Sequence, residues 1–310
     1  MDGLSERIPT TTAGDLIEAV AARLSRIDGV TAVVLGGSRA RGTAQPNSDI
    51  DFGLYYLPGH PPSVDALRRL AHALDDRHAP EAVTVPGEWG PWVNGGAWLQ
   101  IGGHRVDWLY RDLSLVKRTI AQCRAGIHTC DYQPGHPHGF HNHMYVAELH
   151  HCVALRDRTD VLTRLKAKTT PYPPLLKRVV IERHIWEADF SLQIARKAAT
   201  RFDATYVGGC LYRAVACMVQ ALFALNERYF MNEKGSVALV DTFAQRPAQF
   251  VEVVNEVSSQ PGNTPAALGA SIDRLDALRA TCADLCNQAL RQLPPLPARA
   301  RRPRRTSRRR

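Results

Sequence analysis

The sequence lacks a long uncharged hydrophobic run. Over 310 residues, the most apolar uncharged stretch of the C-terminal half, Ala214–Asn226, spans only 13 residues. A bilayer crossing needs roughly 20 apolar residues, so no membrane span and no membrane partner are expected. The first twenty residues mix acids and bases and hold no apolar core, which argues against a secretory signal. There is no CxxC pair, and the seven cysteines are odd in number. Cys282 and Cys286 are spaced i, i+4 and Cys210 and Cys217 i, i+7. That spacing suits buried, reduced thiols and a cytoplasmic location. No internal repeat is visible. Hydrophobic residues at 45% and charged residues at 22% exclude wholesale disorder, collagen and coiled coil. The length suits about two domains.

Basic charge is also scarce once its location is considered. The net charge is +9, but Arg299–Arg310 alone carries eight arginines and no acid. Taking those eight away leaves +1, so the remainder is nearly neutral. It lacks the basic face that tracking a nucleic-acid backbone requires. The tail itself reads as disordered, because a block of like charge resists folding. It could touch RNA, DNA or an anionic surface, or be a solvated extension without a partner.

The pattern along the chain changes once. Asp15–Ile27 carries apolar residues at helical spacing, Thr31–Leu35 is a short apolar run, and Asp49–Tyr56 alternates like a strand. Val64–His78 reads as a helix. Trp98–Ile101 and Arg105–Tyr110 read as a hairpin around Gly102-Gly103. From about Leu175 to Arg291 the pattern is helical, with Ala204–Arg228 apolar nearly all round, as the buried centre of a bundle would be. The expected architecture is an α/β (α+β) domain with a mixed sheet over residues 1–150, an all-α helical bundle over 151–295, and an Arg-rich tail over 296–310.

Three features coincide in Gly36–Tyr56 and just beyond. A strand ends in Gly36-Gly37-Ser38 ahead of a segment able to form a helical turn. Glycine permits close backbone approach, and free N–H groups beside a serine hydroxyl suit a phosphate. Arg39 and Arg41 add positive charge that can grip phosphate. Asp49 and Asp51 stand two apart on a strand, so both carboxylates share one face. Paired hard oxygen ligands suit Mg²⁺, which takes one or two carboxylates together with substrate phosphates. Asp107 lies between Val106 and Trp108 on another strand-like segment, and a third carboxylate there would complete a two-metal clamp.

Gly37-Ser38, ten intervening residues, Asp49-x-Asp51 and a lone Asp on a later strand together resemble the nucleotidyltransferase (DNA polymerase β-like) superfamily. Arg41-Gly42 and Ser48 directly before Asp49 resemble the antibiotic-modifying and minimal members. The resemblance implies a nucleotidyltransferase fold with a C-terminal helical domain. The implied reaction is transfer of a nucleoside monophosphate from an NTP, expected to be ATP, to a hydroxyl, releasing pyrophosphate. It also implies two Mg²⁺ ions held by Asp49, Asp51 and Asp107, with Gly37 and Ser38 on the β- and γ-phosphates. Arg39, Arg41, Ser48 and, from the helical domain, Lys234 complete the expected nucleotide site. Asp112 competes with Asp107 for the third position, but its place just after the strand suits a helix N-cap before Leu113–Ile120.

Other residues carry weaker signals. In Gly87–Trp98, Trp89 or Trp92 could stack on a ring, Asn94 could hydrogen-bond, and Glu88 could act as general base; equally, the segment could be a Gly-rich connection closing the core edge. His136, His138, His141 and His143 crowd into one segment with His150 and His151 after it. The spacing matches no closed zinc site, so a polar loop or acceptor recognition is the expectation. The near-neutral folded region favours a small-molecule acceptor. The alternatives are nucleotidylation of a protein or tRNA of toxin–antitoxin type, or a non-catalytic nucleotide-binding regulator. The intact acid set counts against the last.

Overall fold

The computed structural model describes residues 12–79 and 82–297. The Arg-rich segment Arg299–Arg310 lies outside them. In chain order the elements are α1 (Ala13–Leu24), β1 (Ala32–Leu35), α2 (Gly37–Ala40), β2 (Ile50–Tyr56), α3 (Val64–Leu74), β3 (Gly96–Ile101), β4 (His104–Asp112), α4 (Leu113–Arg124), β5 (Cys130–Asp131), β6 (Phe140–His141), α5 (Asn142–His151), β7 (Val153–Arg156), α6 (Val161–Ala167), α7 (Pro174–Ala199), α8 (Ala204–Leu225), α9 (Ser236–Leu239), α10 (Phe250–Ser259) and α11 (Pro265–Leu290). The chain forms two compact units. Among the described residues, one comprises 12–79, 82–120 and 145–170, the other 121–144 and 171–297. Residues 121–144 thus belong with the helical unit although they precede residue 150.

The first unit is built on a five-stranded sheet of order β3-β4-β2-β1-β7. β2 and β4 run parallel, and the other neighbours are antiparallel, so the sheet is mixed. Local chemistry explains the elements. Thr12 caps α1 by accepting from the Asp15 amide at 3.2 Å, and Ser63 caps α3 by accepting from Ala66 at 3.4 Å. The β3–β4 hairpin turns on Gly102 and Gly103, both at positive φ (57° and 78°), as a two-residue hairpin of type I′ requires. Asp76 fastens that turn, accepting from both glycine amides. α1 and α3 bury Leu16, Val20, Leu24, Leu67, Leu70 and Leu74 against one sheet face, which supplies Ile50, Phe52, Leu54, Val106, Trp108 and Tyr110. Period-2 alternation sends the intervening residues of β2 and β4 to the opposite face. The edge strand β7 has only four residues, half of them exposed, and carries no alternation strong enough to mark it in the sequence.

The second unit is helical, apart from the two-residue ladder of β5 with β6. α7, α8 and α11 pack together, and α8 is buried on every side from Ala214 to Leu225. Among the described residues, α8 is the one helix long and apolar enough to cross a membrane; here its apolar surface is spent on the bundle interior. All seven cysteines are free thiols, and Cys282 and Cys286 are fully buried on α11.

Candidate active site

The turn out of β1 is shaped by an acid on β2. Gly36 donates its amide to the Asp51 carbonyl at 2.8 Å, closing β1 onto β2. Gly37 follows at φ +59°. A Cβ on Gly37 would lie 1.8 Å from Asp51 Oδ2, so the carboxylate occupies the space a side chain would need. Half-buried Ser38 comes next in α2. Arg41 is half-buried; burial lowers its pKa, and the Asp51 charge works in the opposite direction. Arg39 donates Nε to the Asp49 carbonyl at 3.1 Å and Nη2 to the Ser48 carbonyl at 2.8 Å, tying α2 to the approach into β2. The Ser48 hydroxyl accepts from the Gln45 amide at 2.8 Å and so fixes the same turn.

The acids come together on the sheet face away from the core. Asp51 and Asp107 are register partners in the parallel pair β2–β4. Their Cα atoms are therefore one strand spacing apart, about 4.8 Å, with both side chains on the same face. Asp49, two residues before Asp51, belongs to that face by the same periodicity. Arg105 Nε lies 2.5 Å from Asp49 Oδ1, an ion pair outside hydrogen-bond geometry, and that buried oxygen accepts no hydrogen bond. Asp112 sits at the far end of β4, where its Oδ1 accepts from the amides of Ser114 (2.6 Å) and Leu115 (3.2 Å). It is the cap of α4, as its position in the sequence suggested.

Two neighbours complete the surroundings. Trp98 on β3 is the antiparallel partner of Asp107 and is 60% exposed. Trp89 stacks on it, with centroids 4.4 Å apart and planes at 16°. Trp89 is among the expected ring-stacking candidates and Trp98 is not, although the alternation of β3 (Trp98 out, Leu99 in) carries its signal. Trp92 instead is buried edge-on to Tyr145, and Asn94 donates Nδ2 to the Tyr56 hydroxyl at 2.7 Å, so both close the core edge. Glu88 accepts from the Val85 amide at 3.1 Å. Further along β4, Arg111 is buried on the acid-bearing face and donates Nε to Glu148 of α5 at 2.7 Å. Burial works against the Arg111 charge, but Glu148 together with the Tyr145 and Tyr55 hydroxyls outweighs it and holds the pKa up. α5 therefore covers the Tyr55–Arg111 end of the face, beyond the Asp51–Asp107 pair.

The donor set fits a divalent hard cation. Asp51 and Asp107 stand side by side, and a buried oxygen of Asp49 meets the Arg105 guanidinium without accepting a hydrogen bond. Carboxylates clustered this way repel unless positive charge lies among them.

Lys234 belongs to the helical unit and is exposed, in the stretch between α8 and α9, with its backbone N–H on Asn232 Oδ1 at 3.1 Å. The crowded histidines also belong there.

Two family profiles match the chain: the nucleotidyltransferase domain at residues 17–86 and a domain of unknown function, DUF4037, at residues 141–234. No curated protein sequence matches. A solved structure that resembles the chain is a nucleotidyltransferase-like protein from Exiguobacterium sibiricum. It is 11% identical, with 87% of this chain and 74% of that chain covered and a TM-score of 0.33. The matched N-terminal segment carries Gly37, Ser38, Asp49 and Asp51, so the chain carries a nucleotidyltransferase domain, that of a nucleotidyltransferase enzyme.

Proposed function

We propose that this enzyme moves a nucleoside monophosphate from an NTP, with ATP the expected donor, to a hydroxyl of a small-molecule acceptor, releasing pyrophosphate. The observation that carries the reading is the in-register pair Asp51–Asp107 beside the Gly37-Ser38 bend. Asp49, Asp51 and Asp107 would hold two Mg²⁺ ions. Bound there, the ions would neutralise phosphate charge and make the acceptor hydroxyl easier to deprotonate. The Gly37 amide and the Ser38 hydroxyl would hold the terminal phosphates, and Arg41 would add positive charge on the same wall. Arg39 and Ser48, both engaged by the turn before β2, act as positioning residues that hold Asp49 in place. The Trp98–Trp89 pair, with Trp98 exposed, offers a flat apolar surface next to Asp107 for a base or an acceptor ring.

A small acceptor is favoured because the charge outside the Arg-rich tail is close to zero. Seven free thiols favour a reducing, cytoplasmic setting.

The test is a transfer screen with four labelled NTPs against an antibiotic panel, tRNA and a protein extract, reading pyrophosphate release and the mass added to the acceptor. The expected result is labelled small molecule, lost in chelator, restored by Mg²⁺ and absent in Asp51→Asn. Label on tRNA, lost when residues 299–310 are removed, would move the reading to nucleic-acid modification. Undiminished turnover in chelator would overturn the metal assignment.

A further inference from the structure

The helical unit gathers histidines that the sequence scatters. His128 comes from the segment after α4, His141 from β6 and His184 from the middle of α7. One ring nitrogen of each lies within 4.8 Å of those of the other two. His138 and His143 pack against the same rings, with centroids 5.0 Å from His141 and 5.3 Å from His128 respectively. His141 is 2% exposed and His184 is fully buried.

The hydrogen bonding leaves this group unsatisfied in a specific way. His184 Nδ1 lies 2.7 Å from the Val180 carbonyl, and a carbonyl only accepts, so Nδ1 carries the proton. The lone pair is then on His184 Nε2, which is buried and has no partner. His141 Nδ1 is 3.0 Å from His128 Nε2, while His141 Nε2 and His128 Nδ1 are buried without partners. With both rings neutral, either direction of that bond strands one buried N–H and one buried lone pair. Buried polar atoms are rarely left this way. A backbone carbonyl holding the far nitrogen of a ligating histidine is the usual outer support of a metal site.

We propose that His128, His141 and His184 bind a divalent transition cation, Zn²⁺ by preference, and that the ion clips the segment between α4 and α5 onto α7. Imidazole nitrogens suit zinc among the cations such a site could meet. Zinc sits about 2.0–2.1 Å from each nitrogen, so the three rings would draw in around the ion. Three protein ligands leave a fourth position for a water or a small donor. Burial lowers the pKa of all three rings, and the neighbouring histidines add to the effect. A cleft of about 450 Å³, lined by Cys130, Gln133, His136, His138, Gly139 and Arg213, brings solvent as far as His138.

A second group, His138, Glu187 and Cys217, lies alongside. It is the poorer site, because Arg213 already grips Glu187 at 2.5 Å and burial pushes the Cys217 thiol well up. The site is separate from the sheet acids, so its failure and theirs can be told apart.

The experiment uses the full chain, stripped with chelator and titrated with Zn²⁺ and then Co²⁺. We expect one tightly bound equivalent that persists in the double variant Asp51→Asn/Asp107→Asn, a higher Tm with added Zn²⁺, and Co²⁺ ligand-field bands without thiolate-to-metal charge transfer. His184→Gln and His141→Gln should weaken binding by about a hundredfold, beyond the loss seen on altering an outer supporting group. Cys217→Ser and the double variant Asp51→Asn/Asp107→Asn should keep the Co²⁺ bands. Wild-type protein with no Tm response and no ligand-field bands would overturn the proposal. So would a thiolate charge-transfer band that disappears in Cys217→Ser, since the ion would then sit in the neighbouring group. The wild-type spectrum decides even if a histidine variant does not fold.

Discussion

Gly37 lacks a side chain at the point where Asp51 would collide with one: a Cβ there would sit 1.8 Å from Asp51 Oδ2. The bend proposed to cradle phosphate and the acid proposed to bind metal are thus one packed unit.

Gly37→Ala therefore strains the backbone and displaces the carboxylate together. It should lower stability by about 1–2 kcal/mol for a left-handed non-glycine residue, with a further cost for moving Asp51, and abolish measurable transfer. Gly42→Ala, at φ +70° with open space around it, should incur only the backbone cost and keep activity. Denaturant midpoints and pyrophosphate release separate the two. Equal activity in both variants would show that the Gly37–Asp51 contact is incidental.

Asp107→Asn should lower turnover by about 10²–10³-fold or more, as the loss of an electrostatic group at the reacting centre does, with the fold kept. Asp112→Ala should do the reverse. Its two bonds to the first turn of α4 are worth about 1 kcal/mol, so Tm falls while activity stays. Turnover and Tm measured on both variants assign the third acid.

Trp98→Ala removes an exposed ring beside Asp107 and should leave Tm unchanged. If the Trp98–Trp89 surface takes a base or acceptor ring, KM for that substrate rises by roughly five- to thirty-fold, the equivalent of about 1–2 kcal/mol of stacking, with kcat little altered. Trp98→Phe should restore most of the loss.

Glu148→Ala leaves the Arg111 guanidinium buried and unpaired. The expected cost is about 2–4 kcal/mol, less than for a fully enclosed pair because Glu148 keeps 26% exposure. Removing Asp65 from its exposed pair with Arg68 should change stability by less than about 0.5 kcal/mol. Urea midpoints at neutral pH compare the two.

Stability should also depend on pH through Glu233. Burial alone would raise its pKa, but the His136 ring at 3.2 Å and the amides of Glu233 and His138 outweigh burial and lower it below 4.5. The folded form then holds the proton less tightly than the unfolded form. The contribution is complete above pH 4.5 and is lost as the pH falls through the lower folded value. Glu233→Gln should be the less stable protein at pH 7, with the gap closing as the pH drops below 4.5. A gap independent of pH would show that the carboxylate charge plays no part.

The sequence by itself determined which residues share a face. Period-2 alternation put Asp49 and Asp51 together, the glycines marked the β1 bend and the β3–β4 hairpin, and the position of Asp112 at a strand-to-helix junction marked a cap. These are local consequences of backbone geometry over a few residues, and so they were legible. Only the tertiary structure decided the rest. Parallel pairing of β2 with β4 brought Asp107 level with Asp51 across 56 residues of chain, and antiparallel pairing set Trp98 beside it. Folding of α7 against the segment after α4 brought His184 to His128 and His141. No spacing rule sees these meetings, because they are fixed by which apolar faces are buried against each other, and burial carries no trace of sequence distance.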